Sequence, residues 1–170
     1  GSLKAKNLQP LLALEDYAKS IEISKKINYD MAYLIEAMQK IFYDMFISNT
    51  YPNTPTFDII STYNKFSYLF PKEGETYSLI TLKFADYLIK ADLLEKAAEK
   101  VQSLIDDNLL SEKLLPEAGA KLGAIYLMDK KPLKALKAII LTEPKTPGTI
   151  DPKLEEERIL LKAQAYSKAD

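Results

Sequence analysis

The sequence predicts an all-α protein assembled from antiparallel helix pairs. Three observations carry that expectation. Glycine is scarce, five in 170 residues, while Leu, Ala, Lys, Glu and Ile abound; straight-chain residues and alanine lose the least side-chain freedom in a helix. Apolar residues return every three to four positions, the spacing that turns one helix face toward a core. Small side chains recur at a fixed offset of 38 residues in the second half, as they do where helix backbones must approach closely. No sheet is expected. The length fits one domain, able to bury a core without staples.

The elements follow in order. A first helix is predicted from about Pro10, suited to a first turn, to about Lys26, with Leu14, Tyr17, Ala18 and Ile21 on one face. Asn28 or Asp30 caps a second. There Leu34, Ile35, Met38, Ile41, Phe42, Met45 and Phe46 fill an apolar arc half the circumference wide, opposite Glu36, Gln39, Lys40 and Asp44. Asn49 to Pro55 holds two prolines and several turn formers, so it reads as a loop closing an N-terminal helix pair over 8–50. Thr54-Pro55 would cap a third helix bearing Ile59, Ile60, Tyr63, Phe66 and Leu69 and ending near Pro71. Four or five further helices follow. Asp92-Leu-Leu-Glu95 has capping-box spacing ahead of Leu94, Ala97, Ala98, Val101, Leu104 and Ile105. Lys131-Pro132 restarts a helix with Leu136, Ile139 and Ile140 on one side, and Asp151-Pro152 opens the last one under Glu155, Glu156 and Glu157.

Composition narrows the chemistry. Histidine and cysteine are both absent, which removes the commonest general base, the commonest metal ligand, any thiol nucleophile and any disulfide. The 24 acidic residues nearly balance 23 basic ones. Both signs are scattered, so no basic stripe for nucleic acid stands out. Arg158 is the single arginine. A groove that gripped phosphate or carboxylate bidentately would use more, although an AT-rich codon bias toward lysine is the plainer explanation. The most apolar window, Met31 to Ile47, is broken by Glu36, Lys40 and Asp44 and is too short to span a bilayer. Gly1-Ser2 reads as a tag-removal scar and 3–170 as one all-helical domain cut from a longer protein. The compartment stays open, with the cytoplasm preferred.

The offset of 38 aligns Ala85 with Gly123, Leu88 with Tyr126, Ala97 with Ala135 and Val101 with Ile139; 40 residues on, Ala163 and Tyr166 begin a third half-unit. This pattern resembles the tetratricopeptide repeat, a helix-turn-helix unit of about 34 residues. Leu122-Gly123-Ala-Ile-Tyr126, then Ala135, Ile139 and Pro147, match its small, aromatic and proline positions. Phe84, Ala85, Leu88, Ala97, Val101 and Leu104 take the same places one unit earlier, with Leu109 where the proline stands. The departures are the missing tryptophan, the longer repeat, and Asp92 and Lys130 where the turn often has glycine. The resemblance covers about residues 75–170, within a repeat region drawn over 56–170, and implies a TPR-like α-solenoid segment.

It also implies a concave face lined by the first helix of each unit, which places Lys83, Asp86, Lys90, Lys121, Ala124, Met128, Gln164 and Lys168 there as candidate partner-binding residues. Asp86 and Ala124 stand where relatives that bind acidic chaperone tails carry asparagine, so that function is not carried over. The mildly basic groove suits an extended or helical peptide. Residues 29–70 concentrate aromatics; the phenylalanines are expected in the core, while Tyr33, Tyr43 and Tyr51 could be core or interface. No catalytic, cofactor-binding or metal residues are expected, and no nucleic-acid or membrane partner. The function expected is a non-catalytic scaffold for protein–protein interaction. Behind it stand a self-assembling segment, associating through a C-terminal helix whose Leu154, Leu160 and Leu161 would be partly uncovered, and then a helical enzyme or ligand-binding domain. A deep pocket of about 300 Å3 or more with convergent polar groups would favour the last.

Overall fold

The computed structural model describes residues 10–26 and 31–170; among these are eight α-helices, one 3-10 turn and no strand. Asn28 and Asp30, expected as caps, lie outside the described residues, as do Tyr29 and the Gly1-Ser2 scar. Two compact units are present, one up to Pro71 and one from Lys72.

The first unit holds α1 (Pro10–Lys26), α2 (Ala32–Phe46), α3 (Thr56–Phe66) and the 3-10 turn Ser67–Leu69. Helix α1 buries Ala13, Leu14 and Ile21 and packs on α2, which buries Leu34, Met38, Ile41, Phe42, Met45 and Phe46. An aromatic cluster closes the unit. The Phe42 ring lies 4.9 Å from Phe46, 5.1 Å from Phe70 and 6.3 Å from Tyr63. On the polar side of α2, Gln39 donates to the Leu69 carbonyl at 2.7 Å. These contacts draw α3 to α2, so the compact division falls after Pro71 and not at the 49–55 loop. Thr54 does not cap α3; the cap position is Pro55, with no side-chain hydrogen bond. Phe57, expected in the core, is 79% exposed. It stands two residues, about 200° around the helix, from Ile59, which together with Thr62, Tyr63 and Phe66 faces inward.

The second unit is α4 (Glu75–Lys90), α5 (Leu94–Asp106), α6 (Leu115–Met128), α7 (Pro132–Leu141) and α8 (Pro152–Ala169). Each packs on the next, and α6 also meets α8. The 38-residue offset persists in the backbone: α4 ends at Lys90 and α5 begins at Leu94, while α6 ends at Met128 and α7 begins at Pro132. The two turns carry the same hydrogen bonds. Leu93 N donates to Leu88 O and Asp92 N to Ile89 O; 38 residues later Lys131 N donates to Tyr126 O and Lys130 N to Leu127 O. This is the Schellman closure of a helix C-terminus, with a left-handed residue in the glycine place. Asp92 (φ 58°) and Lys130 (φ 57°) fill it. Asp92 therefore terminates α4, and the expected capping box does not form: the α5 cap position is Leu93, without a side-chain bond. The expected cap at Asp151 is present, its carboxylate accepting from Lys153 N at 2.7 Å.

Small residues sit where the helices close on each other. Ala85, Ala97 and Ala135 are fully buried. A Cβ on Gly123 would come 2.9 Å from the Ile139 side chain, and one on Gly119 1.6 Å from Thr142 Oγ1. In the third half-unit the outcome differs. Ala163 and Tyr166 are exposed, and the fully buried small residue of α8 is Ala165, packed with Leu127 and Ala135. Ile140, read from its spacing as part of the inner side of α7, is 43% exposed.

Candidate functional site

The candidate face is built from α4, α6 and α8. The repeat register puts Lys83, Lys121 and Leu161 at one level, Asp86, Ala124 and Gln164 at the next, and Lys90, Met128 and Lys168 at the third. Two of these residues meet directly: Lys121 Nζ forms an ion pair with Asp86 Oδ1, tying α6 to α4. Lys121 is thereby drawn to 17% side-chain exposure, so its charge is answered within the protein. Lys83, Lys90, Gln164, Lys168 and Met128 are exposed, and Ala124 is half-buried. Lys90 Nζ sits 5.1 Å from the centre of the Tyr87 ring, a cation–π distance. Burial, and then the Asp86 carboxylate, raises the Tyr87 phenol above its usual 10.0. The face thus offers exposed ammonium groups, an exposed thioether and a protonated phenol. It can attract carboxylates and cover apolar side chains.

A second tie, also within the second unit, joins α5 to the end of α6 and the turn that follows it. Lys131, beside the turn from α6 to α7, pairs with Asp129 and, at 3.5 Å, with Glu95 of α5. The hydrogen bond its ammonium donates to Asp129 is the main reason it titrates above the usual 10.5. Tyr126 donates to Gln102 Oε1 at 3.3 Å, and Lys134 Nζ lies 5.8 Å from the Tyr126 ring.

Composition flagged Arg158 as the single arginine, but its task is visible only in three dimensions. It is 5% exposed. One amino group donates to the Pro116 carbonyl at 2.7 Å and to Thr142 Oγ1 at 3.1 Å; the other donates to the Ile139 carbonyl at 2.7 Å. Burial lowers its pKa, against an opposing pull from Glu143. Its flat fork joins α8 to the first turn of α6 and the last turn of α7, where a helix dipole favours positive charge. This guanidinium is spent on the protein's own backbone.

Open clefts occur in both units. One of about 470 Å3 runs along α1, lined by Glu15, Lys19, Glu22, Lys25, Lys65 and Tyr68, with Lys65 and Glu15 ion-paired at 3.0 Å. Another of about 410 Å3 lies at the start of α6, where Leu114, Leu115, Pro116, Ile150 and Leu154 meet the Glu112–Lys145 pair. Both exceed the volume named for a ligand pocket, and each carries one surface ion pair among its charged groups, Lys65–Glu15 in the first and Lys145–Glu112 in the second. The tyrosine and lysine shifts, at Tyr51, Tyr87, Tyr126 and Lys131, all run upward, away from neutral pH. Among the described residues no three carboxylates gather as a metal site would require, and no helix is long and apolar enough to cross a membrane.

The tyrosines left open divide. Tyr33 and Tyr43 are exposed and Tyr51 is half-buried, joined on the surface by Phe57 and Tyr68. Compared with known protein families, curated proteins and solved structures, the chain matches no family model, no curated protein and no solved structure.

Proposed function

We propose that this chain is a non-catalytic, TPR-like helical-repeat scaffold that binds a protein or peptide segment along the face of α4, α6 and α8. One observation carries the reading: the junction between paired helices and the small residue buried beyond it recur 38 residues apart, from Lys90, Leu94 and Ala97 to Met128, Pro132 and Ala135, whereas the Schellman bonds at Asp92 and Lys130 also end α5 at Asn108, off that offset. A register kept in both side chains and backbone points to stacked copies of one unit, an architecture whose use is extended surface. The Asp86–Lys121 pair ties α6 to α4, and Lys83 and Lys90 stand exposed seven residues apart as a row along α4, with Lys168 exposed on α8. An acidic peptide with apolar residues to cover Met128 fits that row. The upward tyrosine and lysine shifts, away from neutral pH, favour this reading over an enzyme.

The test leaves the Lys121 pair intact. Lys83, Lys90 and Lys168 are changed together to glutamate, and both proteins are applied to an array of acidic and basic peptides. Acidic peptides should bind the unaltered protein at low salt and be lost by the variant, whose thermal midpoint stays within about 2 °C because surface substitutions cost little. Identical binding by the two proteins would remove the lysine row from the proposal. The self-assembling alternative is favoured by the exposed apolar residues of α8 alone.

A further inference from the structure

A third cleft, of about 350 Å3, lies within the second unit between α5 and α7. Its floor is α6, through Leu122 and the Tyr126 ring. One wall is α5, through Gln102, Ile105 and Asp106; the other is α7, through Lys134, Lys137 and Leu141. Every lining residue falls between 102 and 142, on three consecutive helices with described chain on both sides, so floor and walls are complete in themselves. At one end Lys131 meets Glu95 and Tyr126 meets Gln102, joining wall, floor and wall. At the other end Asp106 is exposed, and Leu141 is 64% exposed.

Charge sets this cleft apart from the two larger ones. In each of those an ion pair, Lys65–Glu15 or Lys145–Glu112, lets opposite charges answer each other. Here they are held apart. Among the described residues neither Lys134 nor Lys137 pairs with a carboxylate: Lys134 Nζ stands 5.8 Å from the centre of the Tyr126 ring, and Lys137 is exposed. On the facing wall Asp106 accepts from Gln102 at 2.8 Å and keeps its remaining acceptor positions toward solvent. Tyr126 gives its proton to Gln102, which leaves its oxygen able to accept an N–H.

Such walls select a ligand charged at both ends. A simple anion drawn to the lysines is repelled by Asp106, and a simple cation meets the reverse; a zwitterion satisfies both. The register sets the length. Helices α5 and α7 both run antiparallel to α6, and at the 38-residue offset Lys137 corresponds to Glu99, seven positions before Asp106, which is about 10 Å of helix rise. An extended peptide of three residues spans about the same distance, and a single amino acid about a third of it. Between the two charges the cleft presents Ile105, Leu122 and Leu141, so the side chains it covers are apolar.

We propose that the cleft between α5 and α7 binds a short apolar peptide, about three residues long, with both termini free: its ammonium on Asp106, its carboxylate between Lys137 and Lys134, and its chain antiparallel to α5 and α7. The site owes nothing to the lysines of α4 and α8, so the two readings fail separately. Titrating the full chain with Leu-Ala-Leu, followed by calorimetry and by amide shifts in NMR spectra, should give saturable binding with shifts grouped at residues 102–106 and 134–141. N-acetylating or C-amidating the peptide should each weaken binding about tenfold, the worth of one charge-assisted contact, and free leucine should not saturate the site. Asp106→Asn should remove the effect of N-acetylation, and Lys134→Gln with Lys137→Gln that of C-amidation; all three positions are exposed, so the thermal midpoint stays within about 2 °C. Changing Lys83, Lys90 and Lys168 to glutamate should leave the tripeptide's affinity as it is. Equal affinity for free and doubly blocked peptides overturns the proposal, since the cleft would then be an apolar groove indifferent to chain ends. So does the lack of saturable binding up to about 10 mM peptide, or binding whose shifts fall on α4 and α8 instead.

Discussion

Arg158 donates three hydrogen bonds, to carbonyls of α6 and α7 and to the hydroxyl of Thr142, the residue that caps α7. Arg158→Ala should destabilise the second unit by about 2–4 kcal/mol, combining lost charge-assisted bonds with a cavity. Arg158→Lys should recover less than half of that, because one ammonium cannot serve two directions as the planar fork does; urea midpoints measure both. Lys130 offers the opposite sign. It holds φ at 57°, a conformation that costs an L side chain about 1 kcal/mol and glycine almost nothing. Lys130→Gly should therefore raise the thermal midpoint by a few degrees, and Lys130→Val should lower it. The sequence marked Lys130 as standing where glycine is usual, and Arg158 as an oddity. It could not show where Arg158 goes, since Pro116 and Ile139 lie 42 and 19 residues away and nothing local announces them.

Among the elements, helix existence and the inner faces were legible. Pro10, Pro132 and Pro152 start helices as their fixed φ requires, and the periodic apolar residues of α2 and α5 are largely those buried. The misreading at Asp92 has a physical cause. A capping box and a Schellman turn both place a polar residue ahead of an apolar pair, and only backbone geometry distinguishes which helix that residue serves. The alignment of Ala163 with Gly123 did not carry over to burial: Gly123 is buried, Ala163 is exposed, and Ala165 is the fully buried small residue of α8. A paired substitution separates register from packing. Ala135→Leu forces bulk into a fully closed seam and should cost about 1–3 kcal/mol. Ala163→Leu, at an open position, should change the denaturation midpoint by less than about 0.5 kcal/mol.

For the molecule as a whole, two groups of residues set the alkaline limit, and their signs agree. The phenols of Tyr87 and Tyr126 are raised mainly by burial, so the unfolded chain releases those protons first, near 10.0, and the stability they contribute is lost as pH climbs through their folded values. Lys131, raised mainly by its hydrogen bond to Asp129, contributes while charged and also loses that contribution on going above 10.5. Stability should thus be level from neutral pH to about pH 9.5 and fall beyond pH 10, with absorbance at 295 nm showing a late fraction of tyrosine ionisation; a decline beginning near pH 8 would contradict both assignments. The candidate site was legible only as a row of positions. Which lysines remain available to a partner depends on Asp86 meeting Lys121 across a gap of 35 residues, and an offset read along a chain carries no information about which diagonal neighbours touch.

The burial of Arg158 also makes the protein its own unfolding reporter. An arginine-specific protease has one peptide bond to cut, after Arg158, and in the native fold that side chain is clasped beneath α6 and α7 and cannot enter the enzyme's specificity pocket. Cleavage into a long fragment and the dodecapeptide Ile159–Asp170 must wait until the last helix lifts away, so the digestion rate counts those departures directly.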